Sequence, residues 1–210
     1  MTTARRAQDV LDYWFGPDPL APGEVANRIR LWFGGDDPPE IRDLRDEDMA
    51  ARFGALVRQA ATGELDAWAT SPHRLLALIL LLDQIPRNIY RGTARAYLQD
   101  AKALSLALEG LQTGADSALT PIQRVFLYMP LQHSESPDVQ EESVAAFRRL
   151  LGESAPEHHA VFEGCLHFAQ LHQRLVARFG RFPHRNRVLG RRSSAAEQQF
   201  LDEEAETFGQ

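Results

Sequence analysis

The residues best equipped for chemistry in this sequence stand at the ends of apolar helical runs. The first group follows Leu75 to Leu82, eight consecutive apolar residues, after which come Asp83, Gln84, Pro86, Arg87, Asn88 and Arg91. A carboxylate on so apolar a rod needs a cation, and Arg87 or a later arginine is its simplest partner. The second group is Tyr128-Met129-Pro130-Leu131-Gln132-His133-Ser134-Glu135, an apolar helix closed by a proline. His133 and Glu135 leave this turn together, placed to orient each other. Ser134 and Glu135 could equally serve only to satisfy helix ends. The third group is Arg178-Phe179-Gly180-Arg181-Phe182-Pro183-His184-Arg185-Asn186. There two aromatics and a proline anchor three arginines, a histidine and an amide. Guanidinium forks match carboxylate or phosphate geometry and stay charged at any working pH.

A fourth element is a single imidazole. Between 156 and 179 an apolar stripe runs through Val161, Phe162, Cys165, Phe168, Ala169, Leu175, Val176 and Phe179, and His172 occupies an apolar place in it. His167 lies on the opposite face. An inward histidine is either a satisfied core residue or a base at an internal cavity. Cys165, on the same stripe, reads as buried and inert.

These residues make His172 and His184 the candidates for proton transfer. Asp83, Arg87, Asn88, His133, Glu135, Arg181, Arg185 and Asn186 are the candidate ligand-binding groups, with Arg181 and Arg185 expected as a basic wall facing Asp83 and Glu135. A metal site is not expected. His159, Glu163 and His167 share one helix face but span about 12 Å, too far for one ion. No cofactor is implied: a nucleophile motif, a glycine-rich phosphate loop and a dinucleotide fingerprint are all missing from the sequence.

The elements that must hold these groups read as helices throughout. Apolar spacing, proline and capping signals place them near 3–15, 24–33, 38–61, 72–85, 94–111, 121–129, 137–151, 156–179 and 195–207. Pro86 is expected to stop the fourth near Ile85. Ser71, Thr120 and Ser136 each precede a proline at the first helical position, and Ser194 with Glu197 forms a capping-box pattern. No segment alternates at the period of a strand. Trp14-Phe15-Gly16 recurs as Trp32-Phe33-Gly34, and Pro86-Arg87-Asn88 is echoed by Pro183-His184-Arg185-Asn186. The fold class expected is all-α, one domain over 1–210.

Composition bounds the rest. The chain has 210 residues, 44% hydrophobic and 25% charged, enough for a substantial core and too apolar for general disorder. One cysteine excludes an intrachain disulfide and suits a reducing compartment, and the apolar run is far short of a membrane span, so a cytoplasmic location is expected. Charge is uneven. Seven arginines and no acid lie between Glu163 and Glu197, leaving sixteen basic against 29 acidic residues elsewhere. This stripe suits an anionic ligand, a nucleic acid, or the acidic part of the chain itself.

Taken together, Leu82-Asp83-Gln84-Ile85-Pro86-Arg87-Asn88, Arg91-Gly92, Asp100, Met129-Pro130-Leu131, His133-Ser134-Glu135, Gln140, His172, the 178–186 segment and Leu189-Gly190-Arg191 resemble the signature of a bacterial family of unknown function. Members of that family are similar in fold to tetratricopeptide-repeat proteins, so the resemblance implies an α–α superhelix of about nine to ten helices, and no activity. Ile85, Tyr97 and Gln132 depart mildly from the family pattern. Two functions remain open: an internal polar pocket for a small anionic molecule, or a helical scaffold holding a peptide or protein in a groove. Nucleic acid is the weakest partner, given an acidic chain without a recognised module.

Overall fold

The computed structural model describes residues 3–21, 23–33 and 37–203, and is helical without strands among them. The principal helices are α1 (Thr3–Phe15), α2 (Glu24–Phe33), α3 (Pro39–Ala61), α4 (Pro72–Ile79), α5 (Ile85–Ile89), α6 (Asp100–Gln112), α7 (Pro121–Gln132), α8 (Pro137–Glu153), α9 (His159–Phe179) and α10 (Ala195–Glu203). Gly34 of the second aromatic echo, and 204–207 of the last expected helix, lie outside the described residues.

The uniformly apolar α4 takes the central place that such a sequence requires, with α1, α6 and α7 packed on it. Successive helices then layer outward, α7 against α8 and α8 against α9. Gly110 permits the close seat of α6: a methyl there would meet Leu75 Cδ2 at 2.9 Å and Leu127 Cδ1 at 3.5 Å. The two Trp-Phe echoes meet as well. Trp32 donates its indole N–H to the carbonyl of Trp14 at 2.9 Å. Trp14, Phe15 and Trp32 all set their rings edge-on to Phe126 of α7, at 5.5, 5.5 and 4.9 Å. A repeated tripeptide thus becomes one aromatic knot that ties the N-terminal helices to the core.

Two prolines act differently from the sequence expectation. Helix α4 does not stop near Ile85. It widens into a π turn over Leu80–Gln84 and resumes as α5, which carries Pro86 in its first turn. The Ile85 N–H reaches back five residues to the Leu80 carbonyl, so the helix absorbs a residue that lacks a donor. Arg87 and Asn88 are therefore helical residues, not turn residues. Likewise α7 runs through Pro130 to Gln132. The expected 94–111 helix divides into a 3₁₀ turn at 94–97 and α6. Phe168 leaves its expected inward stripe and is 48% exposed.

Caps are mixed. Thr120 N–H donates to Gln123 Oε1 at 3.0 Å, while Ser71 and Ser136 make no side-chain cap bond. Ser194 and Glu197 form the expected reciprocal pair, at 2.6 and 3.2 Å. No described helix is long and apolar enough to cross a membrane.

A second, smaller apolar cluster (Leu175, Val176, Phe182 and Phe200, with Phe179 and Leu201) fastens α10 and the 181–194 segment to α9. It is distinct from the main core. Replacing the fully buried Phe126 by alanine should lower the unfolding free energy by about 3–5 kcal/mol. Phe33→Ala, at a site 45% exposed, should cost much less. Urea denaturation of both variants checks this, and equal losses would contradict the aromatic knot.

Candidate functional site

The π turn places Asp83 and Gln84 side by side in the core, with Asp83 fully buried. Asp83 is met from three sides. Gln84 Nε2 donates to Oδ2 at 2.5 Å, His133 Nδ1 lies 2.8 Å from Oδ1, and Arg87 NH1 stands 3.2 Å from that same oxygen. Burial favours protonating Asp83. Arg87 beside it, with the His133 and Gln84 hydrogen bonds, outweighs burial and holds the carboxyl well below the ordinary carboxylate range.

Arg87 carries the network onward. One turn of helix from Asp83, it donates to the Asp83 carbonyl at 2.6 Å and bidentately to Asp100 at 3.0 and 2.9 Å. Asp100 opens α6, where the helix N-terminus favours a negative charge. Burial opposes the charge on Arg87, but Asp83 and Asp100 raise its pKa above the usual guanidinium value.

Arg185 arrives at the same carboxylate from the far end of the chain. Its NH1 donates to the His133 carbonyl at 3.0 Å and lies 3.4 Å from Asp100 Oδ2. Its guanidinium carbon sits 4.9 Å from the Tyr97 ring centre and 4.4 Å from that of Phe182, an aromatic sandwich that fixes its plane. The compensation is incomplete. The Nε of Arg185 is buried with no hydrogen-bond partner among the described residues. Burial and the neighbouring Arg87 pull its pKa down to about 10, against the pull of Asp100.

Three imidazoles adjoin this node. Because Asp83 is ionised, His133 Nδ1 must carry the hydrogen and donate it, which leaves the lone pair on Nε2. His172 Nδ1 donates to the Phe168 carbonyl at 2.8 Å and is in the same tautomer. The two rings are 6.2 Å apart, His172 lies 5.3 Å from Phe182, and Phe182 lies 5.7 Å from His184. All three are held neutral. For His133 the causes are burial and then Arg87, outweighing Asp83. For His172 they are burial, then His133, Arg185 and His184. For His184, burial and then Arg185 and Arg87 bring the value to about 3.

An outer layer straps the 181–194 segment down. Glu135 accepts from the Phe182 N–H at 2.8 Å and bidentately from Arg191 at 2.7 and 3.0 Å. Arg191 also donates to the Asn186 side-chain oxygen at 2.9 Å. Asn186 donates to Ser193 Oγ at 3.1 Å and lies 3.3 Å from Glu197. Arg181 pairs with Glu197 at 2.6 and 2.8 Å.

Of the residues expected from the sequence, Asp83, Arg87, His133 and Arg185 form one node, with His172 and His184 against it. Glu135 and Asn186 belong to the strap. His133 and Glu135 do not orient each other: one turns in to Asp83 and the other out to Arg191. Arg181 is not part of a wall facing Asp83: it bonds Glu197 directly, and Glu135 acts on it only as a more distant charge. Asn88 donates back to the Gln84 carbonyl at 3.1 Å and accepts from Arg91, which holds Asp46. Cys165 is only partly buried by its surface, yet its surroundings push the thiol up to about 12, in keeping with an inert residue.

Asp100, Tyr97, Gln84, Arg191 and Glu197 were not among the candidates. Asp100 and Arg191 stood within the motifs quoted above, a signal without a role. On α8, Gln140 donates to the Gln132 and Ser134 carbonyls at 2.8 and 2.7 Å. Its Oε1, and Ser143 Oγ one turn on, are buried without partners among the described residues. Among the described residues no group of three metal-ligating side chains could hold an ion.

Residues 10–205 match the family described as a bacterial protein of unknown function, DUF924. A solved structure of a protein of unknown function from Agrobacterium tumefaciens is similar at 35% identity and a TM-score of 0.78, covering 97% of this chain and 100% of that one. No curated protein matches.

The neutral histidines set a pH dependence of stability. Their folded pKa values lie below the unfolded value, so the unfolded chain binds more protons once pH falls below about 6.5. Stability should fall with falling pH in that window, by up to about 1.4 kcal/mol per pH unit for each histidine that stays neutral. His184→Asn should flatten the slope. Urea midpoints measured from neutral to mildly acid pH decide it, and a flat profile in the wild type would contradict buried neutral imidazoles.

Proposed function

Since the chain belongs to a bacterial family of unknown function, from which no reaction can be borrowed, we propose that it binds a small anionic molecule against Arg185, with His172 and His184 as the proton-exchanging groups beside it. The observation that carries this is the incomplete pairing of Arg185. An arginine so buried ordinarily has its donors matched, because an unmade bond at a buried donor costs about 1–3 kcal/mol. Here NH1 is engaged, while Nε has no acceptor among the described residues. The guanidinium is held rigid between Tyr97 and Phe182, so its fork is set before any ligand arrives.

His172 supports the same reading. Its Nδ1–H is committed to the Phe168 carbonyl, so Nε2 is the basic atom and the ring cannot swing. A positioned neutral imidazole next to an anion-binding arginine is the arrangement a general base needs. Asp83, Arg87, Asp100 and His133 then hold the frame, while Glu135, Asn186 and Arg181 hold the strap that carries Arg185.

The alternative is a peptide or protein partner on the helical surface, favoured by the exposed apolar side chains Leu98 (70%) and Phe168 (48%). It separates cleanly, because Phe168→Asp would abolish partner binding and leave the anion response intact.

Thermal unfolding of the full chain with acetate, succinate and inorganic phosphate, against chloride at equal ionic strength, tests the proposal. At a hundredfold excess over Kd the stabilisation is about 2.7 kcal/mol, which for a chain of this size is about 5–10 °C. Arg185→Lys keeps the charge, loses the planar fork, and should lose the shift. No shift with any of the three anions, or an equal shift in the variant, would overturn it.

A further inference from the structure

Helix α3 begins outside the core. From Pro39 to Asp48 none of its residues is buried, and the first that is buried is Met49. Within that stretch Leu44 is 62% exposed and Ile41, one turn before it, 50%. Ile29 and Phe33, one turn apart on α2, are exposed as well, and Arg45 ties the two helices by bonding the Arg30 carbonyl and Asp37. Large apolar side chains left in water as a group mark an interaction surface. The charges around them are acidic. Asp37, Asp46 and Asp48 already hold Arg45, Arg91 and Arg52, whereas Glu40, Asp43 and Glu47 are exposed and hold no described arginine.

A surface of opposite sign lies around Arg185. Leu98 follows Tyr97, whose ring packs on the Arg185 guanidinium, and the Leu189 N–H donates to the Arg185 carbonyl at 3.0 Å. Both leucines are exposed. Arg95, lying over the Tyr90 ring, is three residues from Leu98 in a 3₁₀ turn, and at that spacing side chains share an edge. Arg187 and Arg192 flank Leu189 in sequence. All three arginines are exposed and hold no described carboxylate. Arg187 and Arg192 belong to the acid-free stripe between Glu163 and Glu197, and their side chains take no part in the node or in the ion pairs of the strap.

We propose that these two surfaces meet between copies of this chain, the Ile41 and Leu44 face of one copy seated on the Leu98 and Leu189 surface of another. Charge decides how the surfaces pair. An α3 face laid on a second α3 face would set Glu40, Asp43 and Glu47 against the same three carboxylates. The basic surface laid on itself would do the same with arginines, and such like-charge contacts cost affinity. Laid on each other, three acids meet three arginines with apolar side chains between them. Exposed ion pairs contribute little affinity, so the charges select the pairing and the apolar side chains hold it. The inference is independent of what Arg185 binds.

Sedimentation equilibrium of the full chain, at concentrations up to about 1 mM, reads the association. The wild type should self-associate reversibly. Leu44→Asp, at an exposed position, should weaken the association by about tenfold or more and leave the unfolding midpoint of the dilute chain in place. Two further variants fix the pairing. Asp43→Arg with Glu47→Arg makes the α3 surface net basic, and Arg187→Glu with Arg192→Glu makes the other net acidic. Each double variant alone should be monomeric. Their equimolar mixture should associate, since one then offers only basic surfaces and the other only acidic ones, and that rescue shows both to be folded. A wild type that stays monomeric, an association indifferent to Leu44→Asp, or folded double variants that do not associate on mixing would each overturn the inference.

Discussion

Three charges drawn out of water at one point, Asp83, Arg87 and Arg185, can stay there only by facing one another and the half-buried Asp100 at their edge. They come from the π turn, α5, the start of α6 and the segment after α9, so the chain must complete its fold before the set is closed. Removing any one would leave a buried partner unmatched, a loss of about 3–5 kcal/mol. The node is thus a constraint on the whole architecture: the π turn after α4 must bring Asp83 to His133, and the C-terminal strap must return to bring Arg185 to Asp100.

The π turn is the local device that makes this possible. A regular helix across 80–84 would carry Asp83 at a different angle and would set Pro86 against the carbonyl of Leu82. Widening the turn by one residue accommodates the proline and keeps Arg87 one turn from Asp83, close enough to bond both its carbonyl and its carboxylate. The strap follows a related logic. Its own apolar cluster is small and separate from the main core, so Glu135, Arg191 and Glu197 supply the directional bonds that a larger core would make unnecessary. Arg185 is thereby held in a precise place by a segment whose packing alone would not hold it.

Much of this was legible in the residues. The all-helical class followed from period and caps, the central position of α4 from its uniform apolarity, and the inward aim of His172 from its place in a stripe. The pairing of Asp83 with Arg87 followed from the cost of a buried charge. What was hidden is instructive. Proline reads as a terminator at 86 and 130, whereas a π turn and an unbroken α7 accept it, because tertiary packing on both sides outweighs one lost hydrogen bond. Asp100 carried no local sign of its role, since its partners lie 13 and 85 residues away. Arg181 and Arg185 look equivalent in sequence, and only the three-dimensional return of the strap sends one to Glu197 and the other into the core.

The central claim is that a charge-balanced node holds His133 and His172 neutral, each with its hydrogen on Nδ1, around an incompletely paired Arg185. Long-range ¹H–¹⁵N correlation spectra of the histidine side chains, recorded between about pH 5 and pH 7 on the folded full chain, read this directly. Both rings should show the neutral Nδ1–H pattern at neutral pH, and His172 should keep it as the pH falls. Protonation of either ring near its ordinary value, or the Nε2–H tautomer at neutral pH, would contradict it.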